Sequence, residues 1–369
     1  MKKFFQIFSN CIPVKGYMRS IIYDLQKISY RIIPNTLFKI LENSKASSLD
    51  NIYNAFDKED RAVLDEYFEF LINNEFGFYC SEQERDHFPD LDLSWDNPGI
   101  ITNCILDYSQ FNAIYIKNII NELDILGCKD IQIRLFQSTA ENEFIERILE
   151  EVKNTRIKAV DFILEFHKEQ SLAKLDELCE NNGRIRTIIL YNHPENRIYR
   201  QPVKRMRSIV FSNDKLENQY NDCGKISMNY FYINTIFFTE AQHHNTCLNR
   251  KVCIDVNGEI KNCPSMQKSY GNIKDTTLQE AIEKPGFKDY WFINKDRIDV
   301  CKDCEFRYMC TDCRAFIKNS DDLFSQPAKC TYNPYIAKWQ GEEGYITVEE
   351  WREQQIAAEN KPDSTGFRG

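Results

Sequence analysis

Eight of the fourteen cysteines in this 369-residue sequence crowd into residues 247–330. They are Cys247, Cys253, Cys263, Cys301, Cys304, Cys310, Cys313 and Cys330; the other six stand singly in the preceding residues. Thiols gathered in this way can form disulfides, hold zinc or hold iron–sulfur clusters. Disulfides fit poorly, because the start of the sequence reads as a strand without an export signal, and in the cytoplasm thiols stay reduced. Zinc takes four ligands per ion, so eight thiolates could close two all-cysteine sites. Yet only five residues separate Cys304 from Cys310, whereas zinc-ribbon pairs stand roughly fifteen to twenty residues apart. Two four-iron clusters also use eight thiolates, close cysteines from one loop and a remote one closing each site. Iron–sulfur is the first reading and zinc the alternative, because soft thiolates serve both and spacing decides between them.

These cysteines need elements to hold them. Residues 252–256 and 259–262 flank Asn257-Gly258, the pair favoured in type I′ hairpin turns. A strict two-residue register pairs Cys253 with Asn262 and sends Cys263 to the opposite face. Convergence of the two on one site therefore requires the ladder to end or bulge before Cys263, and Pro264 favours an end there.

The spacing Cys247-x10-Gly258-x4-Cys263, Cys301-x2-Cys304-x5-Cys310-x2-Cys313, then Cys330 resembles the SPASM domain of radical SAM peptide-modifying enzymes, which holds auxiliary [4Fe–4S] clusters. In that family the seventh cysteine usually follows the sixth by three residues; here the gap is two. The resemblance implies one cluster on Cys247, Cys253, Cys263 and Cys313, and a second on Cys301, Cys304, Cys310 and Cys330.

Upstream, residues 100–240 alternate between strand and helix patterns. Strands are expected at 101–107, 130–136, 158–166, 186–191, 208–211 and 234–239, and helices at 111–126, 141–153 and 170–181. Such alternation implies parallel strands with crossover helices, as in a partial or degenerate (β/α) barrel, the core to which SPASM domains are attached. Residues 1–95 read as short strands at 4–8, 17–25 and near Tyr30, helices from Pro34 and over 60–74, and a strand at 76–80. Their order and size resemble the winged-helix-like recognition element that binds leader peptides of ribosomal peptides; a structural cap is the plainer alternative. The expected organisation is thus α/β: a leader-binding unit (1–95), a pseudo-radical-SAM barrel (100–240), a SPASM domain (245–340), and a C-terminal helix and tail (341–369). Thr347-Val-Glu-Glu350 is a capping-box signature for that last helix, and the final ten residues read as disordered.

One family signature is missing. No Cys-x3-Cys-x2-Cys occurs in the sequence; the loop after the first barrel strand reads LDYSQFNAIY, and the stretch after the second reads RLFQSTAENEF. Three thiolates around an open iron are what bind S-adenosylmethionine (SAM) in the family, so radical SAM chemistry is not expected. The combination resembles SPASM-domain maturases of the grasp-with-spasm type, which implies a precursor peptide and an ATP-grasp ligase as partners. A redox enzyme working through an exposed cluster, or a structural zinc adaptor, are the other readings.

Composition narrows the field. A net charge of −9 provides no general basic field for nucleic acid, and no apolar run approaches the ~20 residues of a membrane span. A cytoplasmic protein is expected. Within this acidic sequence, Arg184, Arg186, Arg197, Arg200, Lys204, Arg205 and Arg207 share a stretch whose one acidic residue is Glu195. Arg197, Arg200, Lys204, Arg205 and Arg207 are candidates for docking an acidic partner, a solvated loop being the alternative. Cys11, Cys80, Cys104, Cys128, Cys179 and Cys223 share no spacing and read as buried apolar cysteines.

Overall fold

The computed structural model describes residues 2–136, 141–168, 171–200, 208–215 and 223–359. In chain order the elements begin with β1 (Lys3–Ile7), β2 (Cys11–Lys15), β3 (Ser20–Asp24), β4 (Ser29–Ile33), α1 (Asn35–Ser44), α2 (Leu49–Asn54), α3 (Arg61–Asn73), β5 (Gly77–Ser81) and α4 (Glu82–Arg85). Then follow β6 (Asn103–Asp107), α5 (Gln110–Ile125), β7 (Asp130–Leu135), α6 (Glu141–Val152), β8 (Ala159–Glu165), α7 (Leu172–Asn181) and β9 (Ile185–Tyr191). The chain continues through β10 (Arg197–Arg200), β11 (Ser208–Phe211), α8 (Thr235–His243), β12 (Lys251–Ile254), β13 (Ile260–Lys261) and α9 (Leu278–Glu283). It closes with β14 (Tyr332–Asn333), β15 (Lys338–Trp339) and α10 (Val348–Glu359).

Two compact units result. Unit 1 comprises residues 1–95, 225–246 and 293–369; unit 2 comprises 96–224 and 247–292. The cysteine-rich segment therefore contributes to both: Cys247, Cys253 and Cys263 belong to unit 2, and Cys301, Cys304, Cys310, Cys313 and Cys330 to unit 1.

Unit 2 is built on an eight-stranded sheet ordered β10-β11-β9-β8-β7-β6-β12-β13. Strands β6 to β9 run parallel, as the alternation requires. Each has a side chain of period two, and one face carries the apolar set: Cys104 and Leu106, Ile131 and Ile133, Val160 and Phe162, Ile188 and Leu190. Ile116, Ile120, Leu123, Ile145 and Ile148 of α5 and α6 bury that face. The segment 251–254, part of the cysteine-rich stretch, joins this sheet as β12, parallel to β6. Val252 and Ile254 enter the same core, so Cys253 lies on the other face of the sheet.

Unit 1 contains a three-stranded antiparallel sheet, β2-β3-β4, and an antiparallel pair, β1-β5. Helices α1 to α3 close one core with Phe5, Ile22, Ile33, Leu37, Phe68 and Leu71. Val14, Ile21 and Tyr23 face a second core shared with Phe238, Phe306, Tyr308, Met309 and Tyr332. The N-terminal strands are thus packed against the later cysteine loop.

Several local expectations change. Residues 235–239 are helical, not a strand: the Asn234 side chain accepts from Phe237 N–H at 2.9 Å and caps α8. The aromatic and β-branched run had favoured a strand, but the cap supplies the backbone partner that a strand edge lacks. The hairpin turn is also not type I′. Gly258 alone of the central pair has positive φ, at 80°; Gly258 N–H donates to Asp255 O at 2.9 Å, and the Asp255 carboxylate accepts from the N–H groups of Asn257 and Glu259. The Asp side chain thereby stabilises a longer turn with glycine in the left-handed position. Register shifts by one: Cys253 opposes Lys261, not Asn262. The ladder ends at Lys261, before Cys263, as convergence requires. At the far end, Thr347 N–H and Oγ1 donate to Glu350 at 2.7 and 3.0 Å, forming the anticipated capping box.

Candidate iron–sulfur centres

In unit 1, four thiols line one cavity: Cys301, Cys304, Cys310 and Cys330, walled by Ile226, Phe231, Phe306, Tyr332, Pro334 and Trp339. These are the four residues assigned to the second cluster. Cys301 and Cys304 bracket a 3-10 turn, with Cys304 N–H donating to Cys301 O at 3.0 Å. Val300, just before it, is held at φ 66°, ψ −45°, with Cys301 N–H donating to Asp299 O at 2.7 Å. That is a γ-turn in its strained form, at a β-branched residue for which positive φ costs of order 1–3 kcal/mol. Asp299 is fixed by Arg352 of α10 at 2.8 and 3.0 Å. The neighbouring loop is anchored by a buried network: Arg314 donates to Asp312 at 2.7 Å and to Ser325 O at 2.8 Å, and Asn245 donates to Asp312 at 2.5 Å.

The donor chemistry suits a thiolate-bound group. Lys295, 5% exposed, donates to Cys310 Sγ at 3.4 Å. Burial opposes its charge, but Cys310, Cys301, Asp312 and Cys330 outweigh that and raise its pKa. Lys295 Nζ thus lies beside sulfurs that would become anionic on binding metal. With no metal bound, burial pushes the Cys301 thiol up to about 12, although Lys295 acts against it. Glu305, next to Cys304, is fully buried; its Oε1 accepts from Arg19 at 2.7 Å and from Tyr332 Oη at 2.5 Å.

Unit 2 repeats the pattern. Lys251, the first residue of β12, donates to Cys247 Sγ at 3.5 Å. Burial opposes its charge also, and Cys247, Cys263 and Cys223 together raise its pKa. Cys253 is fully buried on the sheet face opposite the helices, beside Asp107, Arg134, Asp255 and Lys261. There Arg134 holds Asp107 by two hydrogen bonds, at 2.5 and 2.7 Å, and Lys261 pairs with Asp255 at 2.7 Å. Burial opposes the Arg134 charge, but Asp107, Cys253 and Cys263 together raise its pKa.

Cys223 departs from the expectation of a buried apolar cysteine. Cys11, Cys104, Cys128 and Cys179 do pack into apolar cores, and Cys80 is buried. Cys223 is half-exposed and lies at 2.9 Å from Ser265 Oγ and within hydrogen-bonding reach of Cys263. The available signal was a Cys-Gly pair in the polar stretch NDCGKIS, with Gly224 at φ 77°. Among the described residues, no three His, Cys, Asp or Glu side chains are gathered to hold a single metal ion.

The basic stretch is partly committed to the fold. Arg186 pairs with Asp130 and Asp161, and Arg184 donates to the carbonyls of Thr155 and Lys153. Arg197 is exposed, its guanidinium over the Phe211 ring at 6.0 Å. Arg200 ends β10; Lys204, Arg205 and Arg207 lie outside the described residues, as do Gln137 to Ala140 of the RLFQSTAENEF stretch and the final ten residues. No described helix is long and apolar enough to cross a membrane.

Residues 246–305 match the model of the SPASM family, an iron–sulfur cluster-binding domain. No curated protein matches the sequence. Among solved structures, SuiB of Streptococcus suis bound to S-adenosylmethionine is similar over 84% of this chain and 96% of its own, at 11% identity and TM-score 0.32. SuiB bound to precursor peptide SuiA is similar over 88% and 98%, at 9% identity and TM-score 0.34. Likeness at that level carries over neither fold nor ligands.

Proposed function

We propose that this protein carries two [4Fe–4S] clusters and serves in the maturation of a ribosomal peptide, recognising the precursor and working with an ATP-grasp ligase. The observation that carries the reading is the cavity of Cys301, Cys304, Cys310 and Cys330 with Lys295 beside it. Zinc would draw its sulfurs to within ~4 Å of one another, given Zn–S bonds of ~2.3 Å. A four-iron cluster instead places each thiolate on its own iron and is accommodated around a cavity. Such a cluster supplies one-electron transfer and rigid cross-linking of a loop-rich segment. In unit 1 the chain's residues would bury it, set Lys295 against its charge, and exclude water with Phe231, Phe306 and Trp339; in unit 2, Lys251 would serve beside Cys247. SAM cleavage lies outside the proposal, since the sequence lacks Cys-x3-Cys-x2-Cys.

An ATP-grasp ligase that joins side-chain hydroxyls to Asp or Glu carboxylates would need an acid-rich peptide. Arg197, Arg200, Arg205 and Arg207 are suited to such a peptide, because guanidinium forks hold carboxylates through paired hydrogen bonds, and Lys204 adds a point charge. The test is titration of iron-loaded protein with precursor peptide and ligase at low and high salt, alongside a charge-reversal set at Arg200, Lys204 and Arg205. Binding that weakens with salt and in the variant is expected. Absence of binding to either partner at low salt would contradict the reading.

A further inference from the structure

At the carboxyl ends of β8, β9 and β11 in unit 2 lies a cavity of about 190 Å³, walled by Phe166, Leu172, Leu175, Leu190 and Phe211, with His193 and Arg197 beside them. Ligands of parallel α/β sheets are received at this end of the strands. His193 follows β9, and its ring centroid stands 4.4 Å from that of Phe166 and 4.7 Å from that of Phe211. Its Nδ1 is tied to the backbone of Glu195 at 2.7 and 3.0 Å, which leaves Nε2 as its remaining polar atom. Arg197 begins β10 opposite Phe211, with its guanidinium over that ring at 6.0 Å. Among the described residues no carboxylate pairs with Arg197. Asp176 of α7 accepts from Tyr199 Oη at 3.1 Å.

Small-molecule and cofactor sites run to roughly 300–1,000 Å³, so this cavity is too small for a cofactor. An apolar cavity of roughly 150 Å³ takes a benzene ring. A chamber of one ring's size, with an exposed cation at its side, fits an aromatic side chain whose neighbour in sequence carries a carboxylate. We propose that this cavity receives an aromatic side chain of the acidic peptide, with Arg197 holding the carboxylate of an adjoining Asp or Glu. This rests on the acidic-partner reading above and adds a specificity to it, aromatic beside acid. Burial of the ring supplies affinity that salt does not screen, whereas the contact with the exposed guanidinium weakens as salt rises.

The test is calorimetric titration of the iron-loaded, full-length protein at low salt with two synthetic probes, acetyl-Asp-Asp-Phe-Asp-Asp-amide and its counterpart with Ala for Phe. Wild type is expected to bind the Phe probe at least about tenfold more tightly, as burial of one aromatic side chain implies. Leu172→Trp, which fills the cavity from a half-buried position on its wall, is expected to erase that preference, and Arg197→Gln to weaken both probes. A preference that survives Leu172→Trp overturns the proposal, since the ring would then sit elsewhere. Equal affinity of wild type for the two probes overturns this proposal alone, and that comparison requires no variant to fold. Binding of neither probe overturns the acidic-partner reading and this proposal with it.

Discussion

At the scale of single residues, each unit places a lysine against a sulfur, Lys295 on Cys310 and Lys251 on Cys247. Hydrogen bonds and net charge around a cluster set its reduction potential. Removing a positive charge disfavours the more negative, reduced state. Lys295→Met should therefore keep iron at the wild-type level and lower the potential of one cluster, measured by redox titration followed by EPR. An unchanged potential would mean that Lys295 does not face a cluster. Neither lysine was legible as functional beforehand: lysine is common in the sequence, and only folding shows which ones are drawn inside. The eight clustered cysteines could be singled out beforehand because spacing survives in sequence. The contact of Cys223 with Ser265 could not, since the two are distant along the chain.

At the scale of elements, the cysteine loop of unit 1 is held by few regular structures and many buried polar contacts. Arg314 and Asp312 are both at most 1% exposed along their side chains. Such a pair gives little net stability when intact, but removing one partner leaves a buried charge and costs about 3–5 kcal/mol. Asp312→Ala should therefore destabilise the protein by about that amount in chemical denaturation, far more than loss of the exposed Arg352–Asp299 pair, for which about 0–1 kcal/mol is usual. Equal small effects would show that the network is not a support of the loop. The parallel strands β6 to β9 were readable from period-two apolar residues interleaved with amphipathic helices. The strand expected at 234–239 failed because one capping side chain, Asn234, outweighed the β-propensity of the residues after it. The hairpin register failed because Asp255, not the Asn-Gly pair, organises the turn.

For the whole molecule, the expectation of successive segments gives way to interleaving. The SPASM match at 246–305 spans both compact units, β12 completes the sheet of unit 2, and the loop around Cys301–Cys330 shares a core with the N-terminal strands. Sequence order could not show this, because strand addition by a later segment carries the same apolar alternation as a free-standing hairpin. The central claim is that these thiols hold two four-iron clusters, and the direct measurement is iron, zinc and acid-labile sulfide per chain in anaerobically purified protein. About eight irons with about as many sulfides, in a brown preparation, are predicted; stoichiometric zinc without labile sulfide would contradict the account.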